Sequence, residues 1–192
     1  GGEAITVLAS GFLNPAANNN GPAFGLYAAT AAGGPLVALP SATIPTARVQ
    51  VIHNSADNAA AAVDVWLNDA PLLDNFRFRT ASPFVTAQAG VPFVVSIADS
   101  TSTDTTTAIA QYTFTLDADS TYVIVASGIV SPSGYSPATP FDLDVMMGAR
   151  EVANASGNTD VLIYHGATDA PAVDVNEISV PAGALATNLA YT

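Results

Sequence analysis

The sequence predicts an all-β protein: an antiparallel β-sandwich, immunoglobulin-like or transthyretin-like, arranged as tandem repeats. Three observations carry that expectation. Apolar and polar residues alternate along short runs, as in Arg48-Val-Gln-Val-Ile-His53 and Val63-Asp-Val-Trp-Leu-Asn68, which is the period of a half-buried strand. Turn-forming clusters separate these runs, with no long helical pattern between them. The chain also echoes itself. Arg48 to Asp57 returns as Asp160 to Asp169, with His53 and His165 standing 112 residues apart. Ile5-Thr-Val-Leu-Ala-Ser-Gly-Phe-Leu13 returns as Tyr122-Val-Ile-Val-Ala-Ser-Gly-Ile-Val130, at an offset of 117. Self-similarity at a fixed spacing marks an array of modules.

The two echoes divide the chain into the closing part of one repeat (1–45), a complete repeat (46–156) and the opening part of a third (157–192). A module of about 110 residues buries roughly two-thirds of its unfolded surface and can hold its own core. The two partial copies are too short for that. Short linkers, Ser41 to Pro45 and Asn154 to Asn158, join one copy to the next, so neighbouring modules should touch or hinge only modestly. The chain opens Gly1-Gly2 without an initiator methionine, which reads as a processed or excised segment.

Within the complete copy, strand candidates after Arg48–His53 and Val63–Asn68 are Pro83–Gln88, Val91–Ile97, Ala108–Leu116, Thr121–Val130 and Phe141–Met147. Turns fall at Asn68-Asp-Ala-Pro71, Ala89-Gly90, Asp117-Ala-Asp-Ser120 and Ser131-Pro-Ser-Gly134, where Gly, Pro, Asn and Asp supply the needed backbone shapes. The alanines at 59–62 suggest a helix, but the run is short and its later counterpart contains Pro171, so a loop is expected. Asp99 to Thr107 reads as a polar loop or hairpin tip. In the first partial copy, Asn14 to Gly21 matches the irregular Ser131 to Pro140, and Phe24-Gly-Leu-Tyr-Ala28 matches Phe141-Asp-Leu-Asp-Val145.

Composition excludes several functions. Charged residues are 10% of the 192, hydrophobic ones 49%, and 16 acids face 4 bases, none of them lysine, for a net charge of −12. Nucleic-acid binding needs clustered Lys and Arg, and docking on anionic membranes needs the same. An acidic, weakly charged surface suits a secreted or cell-surface protein kept soluble by its negative charge. No cysteine is present, which removes disulfides, thiolate metal sites and a cysteine nucleophile. No apolar run reaches the roughly 18 residues of a membrane span, so no membrane insertion is expected.

Laid out in this way, the residues resemble the bacterial and archaeal family known as domain of unknown function 4397. The resemblance rests on an alternating strand ending in His (Val49 to His53), a loop carrying Asp57, then Val63-Asp64-Val65-Trp66. It recurs as Val161 to His165, Asp169-Ala170-Pro171 and Val173-Asp174-Val175. Ala89 to Val95 and the closing hairpin Phe114 to Gly128 match as well. The resemblance implies a β-sandwich in secreted or surface-anchored proteins, often in tandem, and brings no catalytic residues. Two departures stand out: Asn58 to Ala62 replaces and lengthens the usual Asp-Ala-Pro, and Asn176-Glu177 stands where the aromatic belongs.

The strongest chemical candidate is the set His53, Asp57 and Asp64, with its copy His165, Asp169 and Asp174. One His and two carboxylates can ligate a metal or work as an acid–base pair. They can equally fasten a loop, with Asp capping backbone amides and His bonded to a carbonyl. Recurrence favours the fastener, since every module must fold but catalysis needs one good site. No residue is assigned as catalytic or cofactor-binding. Asp142 and Asp144, alternating on one strand, are the candidate calcium ligands, although their counterparts Gly25 and Tyr27 could not serve and no Asp-x-Asp-x-Asp-Gly loop exists. Ala9-Ser10-Gly11 and Ala126-Ser127-Gly128 lack the context of a nucleophile elbow and read as close-packing positions. Asn154-Ala-Ser156 is a glycosylation sequon.

These readings converge on a non-catalytic structural module of an extracellular fibre, stalk or filament. Its expected partners are neighbouring repeats or identical subunits, reached through both chain ends by strand complementation. The alternative is a carbohydrate- or surface-binding adhesin module, contacting glycans through exposed aromatics and the Asp99–Thr107 loop. A shortfall bears on strand complementation: the two partial copies together lack an equivalent of roughly Thr80 to Asp117, and the simpler account is that the 192 residues are a piece of a longer array.

Overall fold

A computed structural model describes residues 4–179 and 183–191; Gly1 and Gly2, read above as a processed start, lie outside them. The chain divides into two compact units, residues 1–44 and 45–192. Each is built almost wholly of strands and turns.

The first unit is a small antiparallel sheet in the order β1–β2–β3, from β1 (Ile5–Ser10), β2 (Gly25–Thr30) and β3 (Val37–Ala38). A 3-10 turn at Pro15–Ala17 sits between the first two strands. Asn14 caps it by accepting from the Ala17 N–H at 3.2 Å, and Pro15 is suited to the first position because no helical partner awaits its missing N–H.

The second unit holds the sandwich. One sheet contains β4 (Thr46–His53), β7 (Thr80–Ala81), β8 (Val85–Gln88), β11 (Thr121–Ser127) and β12 (Asp142–Met147), in the order β12–β11–β4–β7 with β8 also on β4. The other contains β5 (Ala62–Leu67), β6 (Ala70–Arg77), β9 (Phe93–Asp99) and β10 (Ala110–Phe114), in the order β10–β9–β5–β6. Among the described strands of this unit, pairing is antiparallel except between β4 and β11, which run parallel from Thr121 opposite Arg48 to Ala126 opposite His53. Alternation within a strand carries no information about its neighbour's direction, so this pairing was not legible in advance. A hairpin of β13 (Val173–Glu177) and β14 (Gly183–Leu189) completes the unit.

The core lies between the two sheets. Val49, Tyr122, Ile124, Ala126 and Leu143 from one face meet Val63, Val65, Val95 and Ile97 from the other, with Phe76, Tyr112 and Phe114 packed at the margins. Burying each large aliphatic side chain contributes about 1.5–3 kcal/mol, so this layer holds the unit together without disulfides. An apolar gap of about 110 Å³ remains between the sheets.

The expected strands of the complete copy all form, within a few residues of their expected limits. Two elements were missed. β6 covers the Ala70-Pro71 pair that reads as a turn, because the turn itself is only Asn68-Asp69, both with positive φ (47° and 64°), and Leu67 pairs directly with Ala70. That is a two-residue hairpin connection. β7 is too short to leave a pattern. The alanine stretch holds a 3-10 turn at Asn58–Ala60, and Ala62 already belongs to β5.

The two hairpins that echo in sequence also echo in register. β1 pairs with β2 from Ile5↔Thr30 to Ser10↔Gly25; β11 pairs with β12 from Tyr122↔Met147 to Ser127↔Asp142. Adding 117 to each member of the first set gives the second. The parallel bridges Phe12↔Ala23 and Ile129↔Pro140 keep the same offset. So do two glycines with positive φ, Gly11 (90°) and Gly128 (83°), where an added Cβ would lie 2.2 Å from the carbonyl oxygen of Ala23 and of Pro140 respectively. Only glycine fits a backbone that turns left-handed against another strand.

Candidate functional site

The His53 group sits where β4 ends and the β4–β5 loop begins. His53 is fully buried. Its Nε2 lies 2.7 Å from the Ala60 carbonyl oxygen, and a carbonyl can only accept, so Nε2–H donates. The ring packs against Phe76 and Phe78, with centroids 5.9 and 6.3 Å away. Nδ1 is buried with no hydrogen-bond partner among the described residues, at the border of the apolar gap. Burial penalises the imidazolium and moves the His53 pKa below its usual value, against the opposing pull of the Ala60 carbonyl.

Asp57 is a hub. Its Oδ1 accepts from the Ala59 N–H at 2.9 Å, the Ser131 hydroxyl at 2.8 Å and the Tyr135 hydroxyl at 3.0 Å. Its Oδ2 accepts from the N–H groups of Val130 and Ser131 at 2.9 and 2.6 Å. The first of these caps the 3-10 turn at Asn58–Ala60; the rest tie the β4–β5 loop to the segment that follows β11. Burial alone would raise this carboxyl, but the donors on Ala59, Ser131 and Tyr135 outweigh it and hold the pKa at about 2. Ser55 adds a parallel tie, its hydroxyl donating to the Gly128 carbonyl at 2.7 Å.

Asp64 serves a different strand pair. Its Oδ1 accepts from the Asn75 N–H at 2.8 Å across the irregular stretch of the β5–β6 ladder. Its Oδ2 accepts from the Ser102 hydroxyl at 2.7 Å, which in turn accepts from the Trp66 indole at 3.0 Å. Among the described residues no hydrogen bond or ion pair joins His53 to Asp57 or Asp64. They are three separate fasteners in one module.

The second copy keeps two of the three. His165 Nε2 lies 3.0 Å from the Pro171 carbonyl oxygen, while its Nδ1 accepts from the Ala167 N–H at 3.3 Å. Asp174 accepts from the Asn188 N–H at 2.7 Å, as Asp64 does from Asn75, and Asn75 and Asn188 share a positive φ of 54° and 51°. Asp169 is exposed and accepts no hydrogen bond among the described residues.

Asp142 and Asp144 sit on β12. Asp142 accepts from the Leu143 N–H at 2.8 Å, and the Tyr164 hydroxyl donates to Asp144. Among the described residues no three His, Cys, Asp or Glu side chains gather as a metal would require.

Sequence reasoning missed the partners rather than the motif. Ser131 and Tyr135 lie 74 and 78 residues from Asp57, in a stretch that read only as a turn. Their nearest signal was the recurrence of Ala-Ser-Gly before that stretch.

No curated protein matches the chain. The family model described as domain of unknown function (DUF4397) matches residues 47–176, a span from β4 to β13 that contains the sandwich and both copies of the His–Asp motif. The chain belongs to that family.

Proposed function

We propose that this chain is a non-catalytic structural module of an extracellular tandem-repeat fibre, stalk or filament, assembled through its two partial copies. The observation that supports it most is the shared register of β1–β2 and β11–β12, which makes the hairpin of the first unit a twin of the closing hairpin of the sandwich. The geometry of the first His–Asp group agrees with a mechanical role, because Asp57 and Asp64 each hold backbone N–H groups and, among the described residues, neither is hydrogen-bonded to the imidazole. The acidic, lysine-free composition supports cell-surface or secreted placement. Electron microscopy of the native material tests the reading. Filaments or stalks with a repeat the length of one module support it; dispersed globular particles that bind no copy of themselves overturn it.

The adhesin alternative loses ground on one detail. In the loop after β9, the hydroxyls of Thr101, Thr105 and Thr106 are already bonded to Asp99, Asp69 and Asp104. Specific binding on a glycan array by the full chain would restore it.

A further inference from the structure

Both partial copies have apolar residues exposed where their counterparts in the complete copy are buried. Ile5 is 54% exposed where its counterpart Tyr122 is 5%, and Val7 is 53% where Ile124 is 5%. On the other side, Val161 is 59% exposed where Val49 is 6%. Exposed contiguous apolar strands of this kind mark a contact surface. In the complete copy the missing neighbour is known: the edge of β11 away from β12 is occupied by β4, in parallel. In the first unit β1 ends its sheet, so the equivalent edge is open among the described residues. The sequence twin of β4 is 160–165, and residues 161–163 belong to none of the sheets.

We infer that the open edge of β1 receives residues 160–165 of a second copy of this chain as a parallel strand. The inference rests on the fibre reading above and supplies its joint. Transferring the β11–β4 register fixes the alignment: Ile5 opposite Val161, Thr6 opposite Leu162, Val7 opposite Ile163 and Ala9 opposite His165. Backbone hydrogen bonds along the edge supply affinity, and the exposed apolar residues of the two partners cover one another. Asp169 gains its role at the same time. Asp57 accepts from the backbone of Val130 and Ser131; the counterparts of those donors are Leu13 and Asn14, so Asp169 reaches the first unit of the neighbouring copy. The fastener that stands idle within one chain closes between two. A joint of this kind is directional, since each copy presents one edge and one strand, and it propagates head to tail.

The absence of cysteine makes the test clean. Full-length Thr6→Cys and Leu162→Cys variants, both at exposed positions, are mixed and oxidised. The expected product is a disulfide-linked heterodimer. A shifted pair, Thr6→Cys with Ile163→Cys, points its thiols to opposite faces and should give roughly tenfold less. Adding Val7→Lys to the Thr6→Cys chain should reduce the matched product by about tenfold or more, because a charge would enter the covered face. Circular dichroism confirms that each variant retains its sheet signal. Equal yields from matched and shifted pairs, or Thr6→Cys linking only to itself, overturn the joint. If native filaments are seen while the matched pair fails to link, this pairing is wrong and the fibre reading survives; if neither is seen, both fall.

Discussion

Asp57 shows how much one side chain can do when donors surround it. Five hydrogen bonds converge on its two oxygens from two loop segments, and those to a charged acceptor are the strong kind. Replacing it by Asn removes the charge and turns an amide toward at least one donor, leaving buried N–H groups unmatched. Asp57→Asn should destabilise the second unit by about 2–4 kcal/mol, read as a lower urea midpoint with an unchanged slope. A pH dependence follows with a definite sign. The folded pKa of about 2 lies below the ordinary 3.8, so the carboxylate's contribution, about 2 kcal/mol, is complete above pH 4 and vanishes as pH falls toward 2. His53 adds to the loss at milder acidity: its pKa is lowered by burial, so protonation favours the unfolded chain once pH drops below about 6.5. Melting temperature should therefore decline in two stages on acidification, and Asp57→Asn should flatten the lower one. An acid limb identical in the variant would show that other carboxylates govern it. The sequence pointed to His53, Asp57 and Asp64 as a repeated fastener, but grouped them; their division into three separate ties depends on Ser131, Tyr135 and Asn75, which no local pattern connects to them.

At the scale of elements, strands with clean alternation were legible and those with interrupted alternation were not. β4, β5, β9 and β11 bury one or both faces, and their Val and Ile spacing says so. β6 carries Pro71, Asp74 and Asn75 through an irregular ladder, and Asn75 takes a positive φ, so its period breaks where Asp64 grips it. The corner after β11, like its twin after β1, has a sharp local requirement. Gly128 has φ 83° and no room for a Cβ beside the Pro140 carbonyl. Gly128→Ala should therefore cost about 2–4 kcal/mol, combining left-handed strain with a clash against backbone that cannot rotate away. Gly134 is the control: it has φ 92° but nothing within 4 Å, so Gly134→Ala should cost only about 1 kcal/mol, from strain alone. Urea denaturation of both variants checks the difference. Equal losses would mean that strain, rather than the close approach to Pro140, is what demands glycine at 128.

For the molecule as a whole, the forces that would join copies and those that keep them apart are chemically distinct. The surfaces proposed to meet are β1, rich in Ile5, Val7 and Leu8, and 160–165, rich in Val161, Leu162 and Ile163; Asp160 at its margin is already paired with Arg150 at 2.5 Å. Against association stands a net charge of −12 on every copy, which repels like chains over a distance set by the salt concentration. Screening should thus strengthen self-association: moving from about 0.01 M to about 0.5 M sodium chloride shortens the screening length from about 30 Å to under 10 Å and should raise the assembled fraction. An interface held by ion pairs would respond in the opposite way, weakening as salt rises. Sedimentation or light scattering across a sodium chloride series distinguishes the two, and dissociation at high salt would sink the apolar strand joint. Calcium chloride at matched ionic strength extends the same experiment. If screening is the whole effect, the two salts should act alike; a strong excess with calcium would instead return Asp142, Asp144 or the idle Asp169 to consideration as ligands that form only between copies.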